Sequence, residues 1–295
     1  MTNNSSPDPP GPQTKPATPP AAGVRRPTIG VFDSGVGGLT VLAALLRTIP
    51  GANYLYFGDT ARLPYGSKSA ATVAHYAVGA VQHLQAQGAE LLVVACNTAT
   101  ALAFDEIRAA CQVGVIGVVD PGADAASKAS KNRNVVVIGT DATVASHAYR
   151  RALDARQIAV KEKACPLFVP LVEEGWTDHP VTEQVARIYL DEAFSGEARN
   201  ADVLVLGCTH YPLLKPLLRR ITPVHVAIVD SAESTAQEVA RQLHIQPLAS
   251  SAEPERRSAP RLKFFATDSA EKFKKMGTRF LGLPVEDVLH INLKE

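Results

Sequence analysis

The chain has 295 residues, 46% of them hydrophobic and 20% charged, and its 30 basic and 29 acidic side chains leave a formal net charge of +1. That length suits two domains, each with enough apolar side chains for a core of its own. A near-neutral balance without a basic block offers little to nucleic acid or an anionic membrane, and the absence of a long apolar run or an apolar N-terminal signal leads us to expect a soluble cytoplasmic protein.

Residues 1–26 hold seven of the 21 prolines, interspersed with Ser, Thr, Asn, Gly and Ala. Such a segment cannot bury enough apolar surface to offset its ordering entropy, so a disordered tail is expected. Thr28-Ile29-Gly30-Val31-Phe32 then reads as a short strand that empties into Asp33-Ser34-Gly35-Val36-Gly37-Gly38. A helix is predicted over 39–48 and is ended by Pro50-Gly51. A strand over 53–57 leads to Gly58-Asp59-Thr60 and a polar loop through Pro64-Tyr65-Gly66. The helix over 69–87 places Val73, Tyr76, Ala77, Ala80, Val81 and Leu84 on one face.

Next comes Leu91-Leu92-Val93-Val94-Ala95-Cys96-Asn97-Thr98, an apolar run that ends in a thiol and two polar residues. Strands follow over 113–119 and 135–138, the latter before Gly139-Thr140-Asp141-Ala142-Thr143, with a weaker strand over 158–161. The stretch 166–176 has no assignable pattern. A helix over 181–194 carries the stripe Val181, Val185, Ile188 and Tyr189. Leu204-Val205-Leu206-Gly207-Cys208-Thr209-His210-Tyr211-Pro212 repeats the grammar of the Cys96 stretch, and a helix is predicted over 212–220. A strand over 226–229, a helix over 231–244, a charged loop over 246–261, a strand over 262–266 and a helix over 269–280 complete the chain. Alternating strands and helices with nearly all-apolar strands predict an α/β fold of mostly parallel sheets covered on both faces. The matched cysteine strands predict two related halves that share one cleft.

Four strand ends carry chemistry: Asp33-Ser34, Asp59 to Gly66, Cys96-Asn97-Thr98 and Cys208-Thr209-His210. Each has a plain structural explanation, because a strand-end cysteine is usually a small buried apolar residue and Asp33 or Thr98 would serve as a helix cap. The glycines of Gly35-x-Gly37-Gly38 miss the dinucleotide-binding spacing, and no tight structural-zinc pattern occurs. The four cysteines, at 96, 111, 165 and 208, show no Cys-x-x-Cys spacing and are expected to be free thiols, with Cys111 and Cys165 incidental. What raises the site above these explanations is coincidence. Two thiols occupy equivalent positions, each with an ionisable partner: His210 for Cys208 and Asp33 for Cys96. Two opposed thiols suit removal of a proton on one face of a carbon and its return on the other.

The motifs Gly30-Val31-Phe32-Asp33-Ser34-Gly35-Val36-Gly37-Gly38, Tyr56-Phe57-Gly58-Asp59-Thr60-Ala61-Arg62-Leu63-Pro64-Tyr65-Gly66, Ala95-Cys96-Asn97-Thr98-Ala99 and Gly207-Cys208-Thr209-His210-Tyr211-Pro212 resemble those of the glutamate racemases, within the aspartate/glutamate racemase family. The resemblance runs from about residue 27 to the C-terminus. It implies two pseudo-symmetric α/β domains, 27–118 with 229–295 and 119–228, with the active site in the cleft between them. It also implies cofactor-independent interconversion of L- and D-glutamate, without pyridoxal phosphate or metal, that supplies D-glutamate for peptidoglycan, in a homodimer. By the same resemblance Cys96 takes the α-proton from D-glutamate, assisted by Asp33, and Cys208 takes it from L-glutamate, assisted by His210. Asp33, Ser34, Tyr65, Gly66, Asn97, Thr98, Thr209 and His210 would hold the substrate. Asp59, Thr140, Thr143, Glu174 and His179 are secondary candidates. An aspartate racemase, a Cys208-His210 hydrolase and a non-catalytic binder of acidic amino acids stay open on the residues alone.

Overall fold

The computed structural model of the protein describes residues 26–245 and 260–293. The proline-rich tail through residue 25 and nearly all of the predicted loop over 246–261 lie outside the described residues.

The strands are β1 (Thr28–Asp33), β2 (Asn53–Gly58), β3 (Leu91–Val94), β4 (Gly114–Gly117), β5 (Asn134–Gly139), β6 (Ala159–Ala164), β7 (Val203–Gly207), β8 (Ala227–Asp230), β9 (Leu262–Ala266) and β10 (Val288–His290). They form one sheet in the order β10-β9-β2-β1-β3-β4 and a second in the order β6-β5-β7-β8. Every pairing is parallel. The sub-order β2-β1-β3-β4 of the first sheet recurs as β6-β5-β7-β8 in the second, so β3 and β7 are topological equivalents. These two strands are buried along their whole length, as the continuous apolar runs Leu91-Leu92-Val93-Val94 and Val203-Leu204-Val205-Leu206 require. Both sit beside the first strand of their half, where the chain order reverses direction across the sheet. Backbone loops part at that point and leave a crevice beyond the carboxyl edge.

The helices are α1 (Leu39–Thr48), α2 (Ala70–Ala86), α3 (Asn97–Ala109), α4 (Val119–Ala129), α5 (Asp141–Ala145), α6 (Ala148–Asp154), α7 (Phe168–Glu173), α8 (Pro180–Ala193), α9 (Lys215–Ile221), α10 (Ser231–Gln242) and α11 (Ala270–Leu281). Their ends follow local chemistry. Ser69 Oγ accepts the Thr72 N–H to cap α2, and Asp230 Oδ1 accepts from Ala232 and Glu233 to cap α10. The predicted apolar face of α2 is the buried one, through Val73, Ala77, Ala80, Val81 and Leu84. Tyr76 is half-buried and carries the Arg62 guanidinium over its ring, 4.4 Å from the centroid.

Four readings need correction. The strand predicted over 113–119 covers only β4, and Val119 opens α4, whose Pro121 falls in the first turn, where a missing N–H leaves no carbonyl unpaired. The unassigned stretch 166–176 contains α7. On α8 the buried face is Thr182, Ala186, Leu190 and Ala193, whereas Val181 and Ile188 are exposed. Small side chains bring α8 close to its neighbours, and the larger apolar residues that marked the stripe flank that contact or point outward. Finally, β10 adds a strand beyond the helix that was expected to end the fold.

One apolar cluster runs from Ile29, Val31 and Tyr54 of the first sheet, through Ala236 and Val239 of α10 and Phe273 and Phe280 of α11, to Ile138, Leu204 and Leu206 of the second. Helix α10 packs on both α1 and α4. The two sheets are thus joined by shared core. Close approach is also built in at the edge of β2: a β-carbon on Gly58 would stand 2.4 Å from the Gly35 carbonyl oxygen and 2.8 Å from Phe273 Cε2. Gly58→Ala should therefore lower stability by about 1–3 kcal/mol, as overpacking does in a filled core. A urea midpoint equal to that of the unmodified chain would show that the Gly35 turn gives way at no cost.

Candidate active site

A cavity of about 400 Å³ opens where the carboxyl edges of the two sheets meet. Ser34, Tyr65, Gly66, Cys96, Asn97 and Thr98 line it from the first half, and Cys208, Thr209 and His210 from the second. Nine of the ten predicted site residues thus reach one space. Asp33, the tenth, is 1% exposed and does not line the cavity. A larger open groove of about 1540 Å³, between α3, α4, α6 and α10, is edged by charged side chains and reaches none of the four site motifs.

Cys96 follows β3 and precedes α3. Its sulfur accepts the Ala99 N–H at 3.4 Å and donates to Ser34 Oγ at 3.5 Å. Burial, with the nearby Asp33 charge, pushes the thiol up to about 12, so its proton is held firmly. Asp33 accepts the Gly35 N–H through Oδ2 at 2.9 Å, while its buried Oδ1 has no hydrogen-bond partner. Burial raises this carboxyl too, against the opposing pull of His210 and the N–H groups of Gly35, Gly38 and Ser34.

The second half is charged differently. His210 Nδ1 lies 3.9 Å from Cys208 Sγ, and its Nε2 lies 3.1 Å from Glu173 Oε1. Burial works against the imidazolium, but hydrogen bonding and charge from Cys208 and Glu173 outweigh it and raise His210 to about 10. Burial likewise works against the Glu173 carboxylate, yet its bond to His210 leaves it below the usual range. With both ring nitrogens protonated, His210 donates to Glu173 on one side and toward the Cys208 sulfur on the other. The Phe280 ring meets the imidazole in a T-shaped contact, 5.2 Å centroid to centroid.

Hydroxyls tie the halves together across the cavity. Thr98 Oγ1 lies 3.0 Å from Thr140 Oγ1 and 3.3 Å from Thr143 Oγ1, which are 2.9 Å from each other. Thr140 also caps α5 by accepting the Thr143 N–H. Tyr65 turns its phenol away: the O–H donates to Asp59 Oδ2 at 2.7 Å, and Asp59 Oδ1 accepts from Arg62 and Thr267 at 2.9 and 2.7 Å. Asp59 is fully buried and anchors the loop that carries Tyr65 and Gly66. The loop lines the cavity from Leu63 to Ser67 while the Tyr65 hydroxyl is held on Asp59.

Glu173 escapes the sequence reading, and the secondary candidates Glu174 and His179 fall elsewhere. Glu174 is exposed, and His179 stacks on Trp176 at 4.7 Å and caps α8 through Nδ1. The missing signal is helical phase: once 168–173 is a helix, Phe168 and Val172 form its buried edge and Val169 and Glu173 share the neighbouring one. Cys111 and Cys165 do not line the cavity. Among the described residues no group of three or more His, Cys, Asp or Glu is placed to hold a metal, and no helix is long and apolar enough to cross a membrane.

The pattern of the family described as Asp/Glu/Hydantoin racemase matches residues 29–239. The chain is 58% identical over 286 residues to a glutamate racemase of Koribacter versatilis, with 91% of this chain and 98% of that one covered. Its fold superposes with a TM-score of 0.79 on the glutamate racemase of Thermus thermophilus in complex with β-chloro-D-alanine, at 46% identity over 91% of this chain and 98% of the other. A glutamate racemase of Francisella tularensis in complex with D-glutamate matches with a TM-score of 0.80, at 33% identity over 91% of this chain and 98% of the other.

The contact between Glu173 and His210 has a measurable consequence. His210 is raised, so its positive charge is present at neutral pH and is lost as pH climbs through about 10. Glu173→Gln removes a neighbouring negative charge and should move that titration to lower pH, read from the imidazole signals by NMR. An unmoved or upward-moved titration would exclude Glu173 as the support of the imidazolium.

Proposed function

The chain belongs to the Asp/Glu/Hydantoin racemase family and is a racemase; we propose that it interconverts L- and D-glutamate by proton transfer between Cys96 and Cys208, without pyridoxal phosphate or metal. The observation that carries this reading is the convergence of two thiols, from topologically equivalent strand ends, on one small cavity. The D-glutamate held by the Francisella tularensis relative supports the choice of substrate.

In this scheme Cys208 acts as the thiolate toward L-glutamate. Its sulfur takes the α-proton, the C–H bonding pair stays on the α-carbon and spreads into the carboxylate, and the Cys96 thiol delivers its own proton to the opposite face. The product is D-glutamate, with Cys208 now protonated and Cys96 ionised. D-Glutamate runs the sequence backwards. His210, with Glu173 behind it, balances charge at Cys208, while Asp33 modulates Cys96.

The α-proton is weakly acidic, so developing negative charge must be met by prearranged donors in a cavity with little water. Asn97 and Thr98 open α3, where N–H groups have no carbonyl partner within their own helix, and Ser34, Thr209 and the Tyr65-Gly66 backbone complete a cradle for two carboxylates and an ammonium. The domains follow the two sheets, with the borders expected at 27–118 plus 229–295 and at 119–228 moved to place all of β8, through Asp230, in the second domain. Supply of D-glutamate for peptidoglycan, a cytoplasmic location and a homodimer complete the proposal.

Incubation with L-glutamate in deuterated water should give D-glutamate carrying deuterium at the α-carbon. Cys96→Ala and Cys208→Ala should each lower kcat/KM in both directions by roughly a thousandfold or more, since the return proton has no donor. Cys111→Ala and Cys165→Ala should stay near the unmodified rate. Cleavage products in place of inversion would point to a Cys208-His210 hydrolase, binding without α-exchange to a receptor, and faster inversion of aspartate to a sister racemase. Activity should also survive exhaustive chelation and dialysis; a loss restored only by a metal or pyridoxal phosphate would end the two-thiol scheme.

A further inference from the structure

Tyr149, on α6 of the second half, is completely buried and touches both cysteine turns. Its O–H donates to Asn97 Oδ1 at 2.7 Å, one residue after Cys96. Its ring lies against Gly207, one residue before Cys208: a β-carbon there would stand 3.0 Å from Tyr149 Cε2. The other end of the Asn97 amide is also held, because Nδ2 donates to Ser231 Oγ at 3.4 Å. Asn97 and Ser231 are each 2% exposed. A phenol and an amide buried this deeply would be costly unless they satisfied each other, so the contacts fix both side chains. A phenol ring is rigid, with two side-chain torsions, and is suited to act as a spacer between two backbones.

We propose that Tyr149 is a positioning residue that sets the separation of the Cys96 and Cys208 turns, and that the Asn97 side chain serves this tether while its backbone N–H meets the substrate. The inference rests on the racemase reading above. In a two-base reaction both sulfurs must reach opposite faces of a single carbon at near-contact distance, so a spacer shared by the two turns controls rate more than binding. The bond from Tyr149 crosses from one half to the other, whereas the Ser231 bond ties the same amide to the first residue of α10. Together they hold Asn97 from two directions while leaving its position at the start of α3 unchanged.

The test uses the full chain and starts from the unmodified protein, with racemisation rates and isotope effects on kcat/KM for α-deuterated L- and D-glutamate. Tyr149→Phe keeps the ring on Gly207 but releases Asn97, and so loosens the Cys96 side. It should lower kcat/KM by about tenfold, mainly through kcat. The isotope effect should rise from D-glutamate, whose proton Cys96 removes, and fall from L-glutamate. Asn97→Ala added to Tyr149→Phe should cost little beyond Asn97→Ala alone, as expected for two ends of one contact. Ser231→Ala, which frees the amide from its other side and removes a hydroxyl that also faces the Tyr149 phenol, should shift the isotope effects in the same sense. It also carries the test should Tyr149→Phe fail to fold. Unchanged kinetics, additive losses, or lower activity with both isotope effects unmoved would overturn the positioning role. Failure of the unmodified protein to racemise would instead remove the racemase reading, and this inference with it.

Discussion

The cavity depends on how buried charge is balanced around two thiols. In a space with few waters, a lone thiolate is disfavoured, and a second negative charge nearby makes it more so. The first half supplies that second charge, since Asp33 lies near Cys96 and helps keep its proton in place. The second half does the reverse: His210 stands between Cys208 and Glu173 and retains a positive charge to about pH 10. One side thus stores a proton and the other places a cation beside its sulfur. That inequality matches the direction proposed from L-glutamate; from D-glutamate the proposed scheme starts with the opposite arrangement of protons.

The inequality sits on a duplicated frame. Both halves run their strands in the same order, and both end the same strand in a cysteine. They diverge just beyond that residue. After β3 a long helix begins at once, and its Ala99 N–H points at Cys96 Sγ. After β7 the chain instead makes a 3-10 turn at Tyr211–Leu214, which leaves His210 directed toward Glu173 on α7. The frames meet closely because Gly37 has no side chain: a β-carbon there would stand 2.3 Å from Thr209 Oγ1 and 2.6 Å from His210 Nδ1. Thr40, one turn further along, donates to the Thr209 carbonyl at 3.0 Å and holds that approach. A turn that looks in sequence like a weak phosphate loop is therefore a contact surface between halves.

Much of this architecture is legible in the residues themselves. The strands that carry the cysteines are short unbroken apolar runs, and their length, their valines and their alternation with helices mark them as buried and parallel. Most predicted site residues lie within two or three positions of a strand's carboxyl edge, which is where the fold class puts ligands. Helix α8 shows the limit. Its sequence stripe follows the largest apolar side chains, but the packed face follows Ala186 and Ala193, because close contact selects for small size as well as hydrophobicity. Glu173 shows a second limit, since its neighbour Glu174 has the same chemistry and only helical phase separates the cavity-facing carboxylate from the exposed one.

By itself the sequence determined most of the elements, their parallel class, the duplication and the residue types available at each strand end. These are local properties, set by side-chain pattern over a few residues and by the adjoining turns. Tertiary structure decided the rest: that Asp33 sits behind the cavity wall, that the Tyr65 phenol is turned onto Asp59, that Glu173 meets His210, and that Tyr149 spans both cysteine turns. Each joins residues far apart in the chain or depends on which way a side chain rotates. Contacts of that kind come from the packing of two sheets against one another, and no periodicity within a single segment encodes them.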